Sequence, residues 1–257
     1  MPRLPLRSQP PLIVLPARMA SSRLPGKPMA DIAGKPMIAH VVERALAAHL
    51  GPVVVACCEE AVARAAARAG AKAVMTDPDL PSGSDRVWAA VQAVDPEGHH
   101  DLVINVQADL PTLDPVLIRD VLAPLADPAV DIATPVARIT DPAELADPGV
   151  VKAAVALAPG QRVGPALYFS RQAIPSGDGP HYHHIGLYAF RRAALARFVT
   201  LPPGVLEQRE RLEQLRALEN HMRIDAVLVE TVPLGVDTPA DLERARALLA
   251  ARPSADR

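Results

Sequence analysis

The chain has 257 residues, with 27 Lys+Arg against 29 Asp+Glu; a net charge of −2 argues against a general nucleic-acid binder, which carries a basic excess. Hydrophobic residues make up 49% and aromatics only 3%. That gives apolar volume for a sizeable core of Ala, Val and Leu, and too few rings for a single-strand stacking platform. The two cysteines, Cys57 and Cys58, are adjacent, which excludes a disulfide framework and a shared metal clamp. No apolar run approaches the ~18 residues of a bilayer span, and the stretch Leu12–Leu15 is too short for a secretory segment. A cytoplasmic setting is expected.

Residues 1–11 read as a flexible proline-rich lead. Apolar runs then alternate with helical patterns. Strands are expected at Leu12–Leu15, Val53–Ala56, Ala71–Met75 and Leu102–Val106. Helices are expected at Met37–Leu50, Glu59–Ala69, Ser84–Val94 and Pro115–Ala126, the last with Asp114 as cap and Pro115 in its first turn. This alternation predicts an α/β fold, an open and mostly parallel sheet with helices on both faces.

After Asp131–Ala137 the rhythm changes. Strands are expected at Val150–Ala156, Ala166–Phe169 and His184–Phe190, with no clear helix between the first two. A helix at Arg191–Val199, a charged helix at Glu207–Asn220, a strand at Val227–Val232 and a closing helix at Pro239–Ala251 follow. The expected organisation is an α/β domain from residues 12–130 and 226–257, with a smaller mixed insertion at residues 131–225.

In an open parallel sheet, ligands bind beyond the carboxyl ends of the strands. The first strand runs into a loop, Pro16–Pro28, that carries Arg18, Arg23 and Lys27, the hydroxyls of Ser21 and Ser22, and Gly26. Arginine forks, a lysine point charge and backbone amides are what a polyphosphate needs. There is no G-x-G-x-x-G after this strand, and Gly34-Lys35 is followed by Pro36 where a Walker loop has Ser or Thr. His181, His183 and His184 have no Asp or Cys spaced to complete a zinc site.

The string PARMASSRLPGKPMADIAGKPMI resembles the signature loop of sugar-nucleotide nucleotidyltransferases, and is most similar to the 3-deoxy-manno-octulosonate cytidylyltransferase family. Further segments agree in order over about residues 12–250: Ser82-Gly83-Ser84-Asp85-Arg86, Asn105–Pro111, Ala166–Arg171 with Ile174-Pro175, His184–Tyr188, Leu212–Arg216 and Gly235–Glu243. The resemblance implies transfer of CMP from CTP to the anomeric hydroxyl of 3-deoxy-D-manno-octulosonate (Kdo), giving CMP-Kdo and pyrophosphate for lipopolysaccharide synthesis. It implies Arg18, Lys27 and Asp109 in catalysis, and Ala17, Arg18, Arg23, Lys27, Ser82, Gly83, Ser84 and Arg86 at the nucleotide. Gln107, Arg171, His184, Tyr188, Glu213 and Gln214 are implied at the sugar, Asp109 and Asp237 at Mg2+, and the protein is expected to be a homodimer.

Three places depart from the family pattern. Ala108 and Leu110 replace Gly and Glu in the metal turn, and Leu80-Pro81 stand where a His-Gln pair is common. Leu110 is expected to pack against a neighbouring loop. The departures leave two alternatives: a related acid sugar (amino-Kdo or sialic-acid-like) as substrate, or a weakened nucleotide-binding relative.

Overall fold

A computed structural model describes residues 9–20 and 23–250. Residues 1–8 of the expected lead, and the hydroxyls of Ser21 and Ser22, lie outside the described residues. The rest of that lead is pinned: Gln9 N–H donates to the His99 carbonyl at 3.0 Å, and the Pro10 carbonyl lies 2.6 Å from His100 Nδ1. The chain divides into two compact units, Met1–Pro115 with Pro233–Arg257, and Val116–Val232.

The first unit runs β1 (Leu12–Pro16), β2 (Asp31–Ile32), β3 (Lys35–Pro36), α1 (Met37–Ala47), β4 (Val53–Cys57), α2 (Glu60–Arg68), β5 (Lys72–Met75), α3 (Gly83–Val94) and β6 (Leu102–Val106). β1 pairs in parallel with β4 on one side and β6 on the other, and β4 pairs in parallel with β5. Leu12–Leu15 and all of β4 are buried. Successive strand side chains point to opposite faces, so both faces of these strands are covered, and their sequences read as unbroken apolar runs. The order β6-β1-β4-β5 reverses direction at β1. Loops leaving the carboxyl ends of β1 and β6 therefore diverge, and a crevice opens between them.

A two-residue turn joins β2 to β3. Ala33 and Gly34 both have positive φ, 51° and 81°, the hand of turn that matches strand twist. Gly34-Lys35 thus belongs to a hairpin and not to a phosphate loop. After the second unit the chain returns as α9 (Pro239–Ala250). Ile32, Met37, Val236, Leu242 and Ala245 form a satellite core with Leu24 and Leu234 packed on it. This cluster ties the loop after β1 to the segment that precedes α9.

The second unit runs α4 (Pro115–Asp120), a 3-10 turn (Ala123–Ala126), β7 (Ile132–Arg138), α5 (Pro142–Ala146), β8 (Lys152–Val155), β9 (Val163–Ser170), β10 (Tyr182–His184), β11 (Leu187–Arg191), α6 (Arg192–Thr200), α7 (Val205–Glu210), α8 (Leu215–Glu219) and β12 (Ile224–Val229). β7 pairs antiparallel with β10 and β11 and parallel with β12, and β9 pairs antiparallel with β8 and β12.

Several expectations are corrected here. The strand expected at 227–232 is β12, which runs Ile224–Val229 and pairs with β7 and β9. The second unit accordingly reaches to Val232 and begins at Val116, against 131–225 from sequence. The expected helix 115–126 stops at Asp120 and ends in the 3-10 turn, which has a proline in its first turn. The strand expected at His184–Phe190 is two strands, because Leu187 N–H folds back onto the Ile185 carbonyl at 2.7 Å. The helix expected at 207–220 breaks at Arg211, which has φ 57°. α5 was missed, although Asp141 caps it and Pro142 opens it.

Candidate active site

The loop after β1 is closed by backbone bonds. Ala17 N–H donates to the Ala56 carbonyl at 2.8 Å, Met19 N–H to Glu59 Oε1 at 3.0 Å, and Gly26 N–H to the Met19 carbonyl at 3.1 Å. Gly26 has φ 71° and starts a 3-10 turn, Lys27–Met29, in which Pro28 is buried. A residue with a Cβ would be strained at Gly26 by roughly 1–2 kcal/mol. Lys27 is thereby held on a rigid turn.

A cavity of about 360 Å³ lies at the carboxyl ends of the strands. The loop after β1 contributes Ala17, Arg18, Arg23 and Lys27; the start of α3 contributes Ser82, Gly83 and Arg86. The turn after β6 gives Gln107 and Asp109, and the segment before α9 gives Asp237. Four cations face two carboxylates, so the cavity has a positive balance suited to a polyanion.

Lys27 sits at its centre. Its Nζ donates to Asp109 Oδ2 at 2.6 Å and to Asp237 Oδ1 at 2.9 Å, while Arg23 Nη2 lies 3.0 Å from Asp237 Oδ2. Partial burial works against the Lys27 charge, but the Asp109 and Asp237 carboxylates outweigh it and hold the ammonium above the ordinary lysine range. Arg18 is exposed on the cavity wall.

Both aspartates are fixed by their backbones. Val236 N–H donates to the Asp109 carbonyl at 2.9 Å, and Leu234 N–H to Thr112 Oγ1 at 2.8 Å, so the two turns are stitched together. Thr238 and Asp241 cap α9 reciprocally: Asp241 N–H donates to Thr238 Oγ1 at 3.2 Å, and the Asp241 carboxylate accepts from Thr238 N–H at 3.0 Å. Capping therefore does not consume the Asp237 side chain. Leu110 is buried, with Cδ2 3.9 Å from where a Cβ on Gly235 would stand, as expected of a residue that packs on the neighbouring loop.

Two carboxylates converging on one ammonium form a hard-oxygen donor pair, and the ammonium marks where a cation is stabilised. That fits Mg2+, which takes one or two carboxylates and completes its shell with water and substrate phosphate. Among the described residues no group of three or more His, Cys, Asp or Glu gathers to hold a metal by itself.

The nucleotide candidates near α3 divide. Ser82 caps the helix, accepting from Asp85 N–H at 3.2 Å and donating to Asp85 Oδ2 at 2.7 Å. Arg86 is buried; its guanidinium donates to Thr76 Oγ1 and to the Pro78 carbonyl, so it fixes the loop after β5 while lining the cavity. Ser84 is buried and does not line the cavity, because it faces inward from the first turn of α3.

Of the sugar candidates, only Gln107 lines this cavity; its Nε2 donates to Asn105 Oδ1 at 3.1 Å. The others belong to the second unit. His184 is buried, with Nε2 3.0 Å from Thr134 Oγ1 and its ring 4.8 Å from Phe169 and 5.5 Å from Tyr188. Burial, with His183 alongside, pushes its imidazole down to about 3. Burial, reinforced by the charge of Glu213, pushes the Tyr188 phenol far up. Gln214 is buried, and its Nε2 has no hydrogen-bond partner among the described residues. The Arg171 guanidinium donates to the carbonyls of Glu210, Pro148 and Arg211 at 3.0, 3.1 and 3.4 Å, and so holds loops of the second unit together.

Three residues that shape the site were missed: Glu59, which holds Met19; Thr76, which holds Arg86; and Asp241, which caps α9. Glu59 had a signal, since it follows β4 at the same sheet end as the loop after β1.

A family model described as Cytidylyltransferase matches residues 12–224. The chain is 68% identical over 241 residues to the 3-deoxy-manno-octulosonate cytidylyltransferase of Paramagnetospirillum magneticum, covering 94% of this chain and 98% of that one. It is 64% identical over 240 residues to the protein of that name from Rhodospirillum rubrum, covering 93% and 95%. A solved structure of CMP:2-keto-3-deoxy-manno-octonic acid synthetase complexed with CTP superposes with a TM-score of 0.85 at 42% identity, over 94% of this chain and 99% of that one. A cytidylyltransferase from Leptospira borgpetersenii, 14% identical over 96% of this chain and 89% of that one, shares the fold at a TM-score of 0.62. With the loop after β1, the Asp109 turn and Asp237 meeting at one cavity, the chain belongs to the cytidylyltransferase family, among its 3-deoxy-manno-octulosonate cytidylyltransferase members.

Proposed function

We propose that this protein transfers CMP from CTP to the anomeric hydroxyl of Kdo, releasing pyrophosphate, in a Mg2+-dependent reaction. The observation that carries the reading is the cation-lined cavity in which Lys27 bridges Asp109 and Asp237. The anomeric oxygen attacks the α-phosphorus, the new O–P bond forms as the bond to the bridging oxygen of pyrophosphate breaks, and the hydroxyl proton is released. Arg18, Arg23 and Lys27 bind the triphosphate and balance its charge through the transfer. Asp109 and Asp237 would hold Mg2+, which would supply polarisation of the phosphate and a lowered pKa for the attacking hydroxyl.

Lys27 has two tasks in sequence. Without nucleotide its ammonium neutralises Asp109 and Asp237. With a divalent ion on Asp109 and Asp237, the Lys27 ammonium would be freed to face the phosphate oxygens of the nucleotide. The Lys27 ammonium and a divalent ion would repel if both stayed on the carboxylates, so the ammonium would disfavour metal binding without nucleotide.

His184, Tyr188, Glu213 and Gln214 form the grip on the acid sugar, a reading supported by the buried Gln214 Nε2 that lacks a partner. The second unit is the sugar-binding and dimerisation unit; Leu167 and Val205, exposed at 64% and 77%, are apolar surface there that a homodimer would cover. The setting is the cytoplasm, and the product serves lipopolysaccharide synthesis; among the described residues no helix is long and apolar enough to cross a membrane.

The test is pyrophosphate release from CTP and Mg2+ with Kdo as acceptor. CTP should be strongly preferred over ATP and GTP, because a site that pairs one base leaves buried groups unpaired with another. Comparable release with ATP would overturn the cytidylyl assignment.

A further inference from the structure

α7 has six residues and α8 has five, too short to be stable alone. Three charged side chains stitch them. Arg216 Nε donates to Glu207 Oε2 at 2.8 Å and Arg216 Nη2 to Glu207 Oε1 at 2.6 Å, a two-pronged pair with side chains only 8% and 12% exposed. Glu207 Oε2 also accepts the Gly204 N–H at 2.8 Å. Glu219 reaches back from α8 to accept the N–H groups of Leu206 and Glu207, at 3.0 and 3.1 Å, at the start of α7. A Cβ on Gly204 would fall 1.9 Å from Glu219 Oε2, so any larger residue there would have to displace the Glu219 carboxylate.

Between the two helices lies the turn that carries Glu213 and Gln214. Arg211 takes the left-handed conformation, and Leu212 N–H bonds to the Glu207 carbonyl at 3.1 Å. The residue that supplies one end of the turn's main-chain bond thus also holds Arg216. Arg216 has a second anchor, its guanidinium carbon 5.0 Å above the Phe198 ring. From Phe198 a row of rings continues through Phe190 and Tyr188 to His184, with centroids 6.0, 6.0 and 5.5 Å apart.

We propose that the Glu207–Arg216 pair is a positioning device for the acid sugar: it fixes the Glu213-Gln214 turn to the aromatic row that bears Tyr188 and His184. The inference rests on the sugar-site reading above, but neither Glu207 nor Arg216 is assigned a contact with substrate. The carboxylate and guanidinium satisfy each other inside the helix pair, so their effect passes through the turn. Losing either partner leaves a buried charge unpaired, which the short helices cannot absorb without shifting the turn.

The experiment compares Glu207→Gln, Arg216→Met and Gln214→Ala in the full chain, with Kdo as acceptor and calorimetric CTP binding as the control for folding. Glu207→Gln and Arg216→Met should raise the KM for Kdo by about tenfold or more, the scale of a misplaced binding group, and leave the CTP Kd within about twofold. Gln214→Ala should raise the same KM. If Arg216→Met no longer binds CTP, the near-isosteric Glu207→Gln decides. An unchanged KM for Kdo in Glu207→Gln, or a loss of CTP affinity that matches it, overturns the positioning role. If instead Gln214→Ala leaves the KM for Kdo unchanged, the sugar-site reading itself falls.

Discussion

The two units use polar residues in opposite ways. In the first, the side chains at the cavity are charged and partly exposed: Lys27 is 16% exposed, Asp109 27% and Asp237 46%, and their ion pairs can be exchanged. In the second, His184 and Gln214 are buried and Tyr188 is half-buried, with His184 and Tyr188 set among rings; the imidazole is neutral and the phenol is protonated. The first arrangement suits a highly charged ligand that arrives with its own cation. The second suits hydroxyl groups, which need fixed neutral donors and acceptors and gain little from loose charge.

The largest loss is expected where the exchange itself is removed. Asp109→Asn and Asp237→Asn should each abolish most Mg2+-dependent pyrophosphate release, while the protein stays folded because Val236 bonds to the Asp109 backbone and not its side chain. Full activity in either variant would move the metal elsewhere. Lys27→Ala should lower turnover by about 10²-fold, the order seen when one preorganised charge contact is lost. Near-normal turnover would mean that Arg18 and Arg23 suffice.

A third prediction sharpens the contrast through acid stability. The His184 imidazole is pushed to about 3, against an unfolded value near ~6.5. Between these values the unfolded chain binds a proton that the native state refuses, so stability rises with pH through this window and is flat above it. Denaturant titrations from pH 6.5 downward should show a component of roughly 1.4 kcal/mol per pH unit that is absent in His184→Asn. Identical slopes would place a charged or exposed imidazole at this position. The smallest effect is expected at Leu110→Glu, because position 110 faces the packed loop near Gly235 and not the cavity. A rise in activity by orders of magnitude would mark the natural chain as a weakened relative.

The sequence was most legible in the first unit. β1 and β4 are continuous apolar runs because parallel strands are covered on both faces, and loops at their carboxyl ends hold the charged residues. Asp109, Asp237 and Lys27 were identified from those loops and the resemblance, and the structure brings them to one point. Less was visible where long-range partners decide. Ser84 and Arg86 stand two residues apart and are both buried, yet only Arg86 lines the cavity. Arg171 is implied at the sugar by the resemblance, and its bonds to three carbonyls 23 to 40 residues away along the chain leave no local mark. Lys152 drew no attention; it is fully buried and donates to the carbonyls of Asp147, Val150 and Arg171 at 2.6, 2.8 and 3.0 Å. The partners of Arg171, and the Arg171 carbonyl that Lys152 reaches, lie far along the chain, beyond any local pattern.

The most direct test of the account is whether the carboxylate pair takes a divalent ion only with nucleotide. Mn2+ binding, followed by electron paramagnetic resonance, would be measured on the wild type and on Lys27→Met, with and without CTP. An ammonium and a carboxylate ~4 Å apart interact by about 4 kcal/mol near a protein surface, so removing Lys27 should free the pair for metal. The account predicts little Mn2+ bound by the nucleotide-free wild type, binding on addition of CTP, and at least about tenfold tighter nucleotide-free binding in Lys27→Met. Tight Mn2+ binding by the wild type without CTP, unchanged in Lys27→Met, would contradict it.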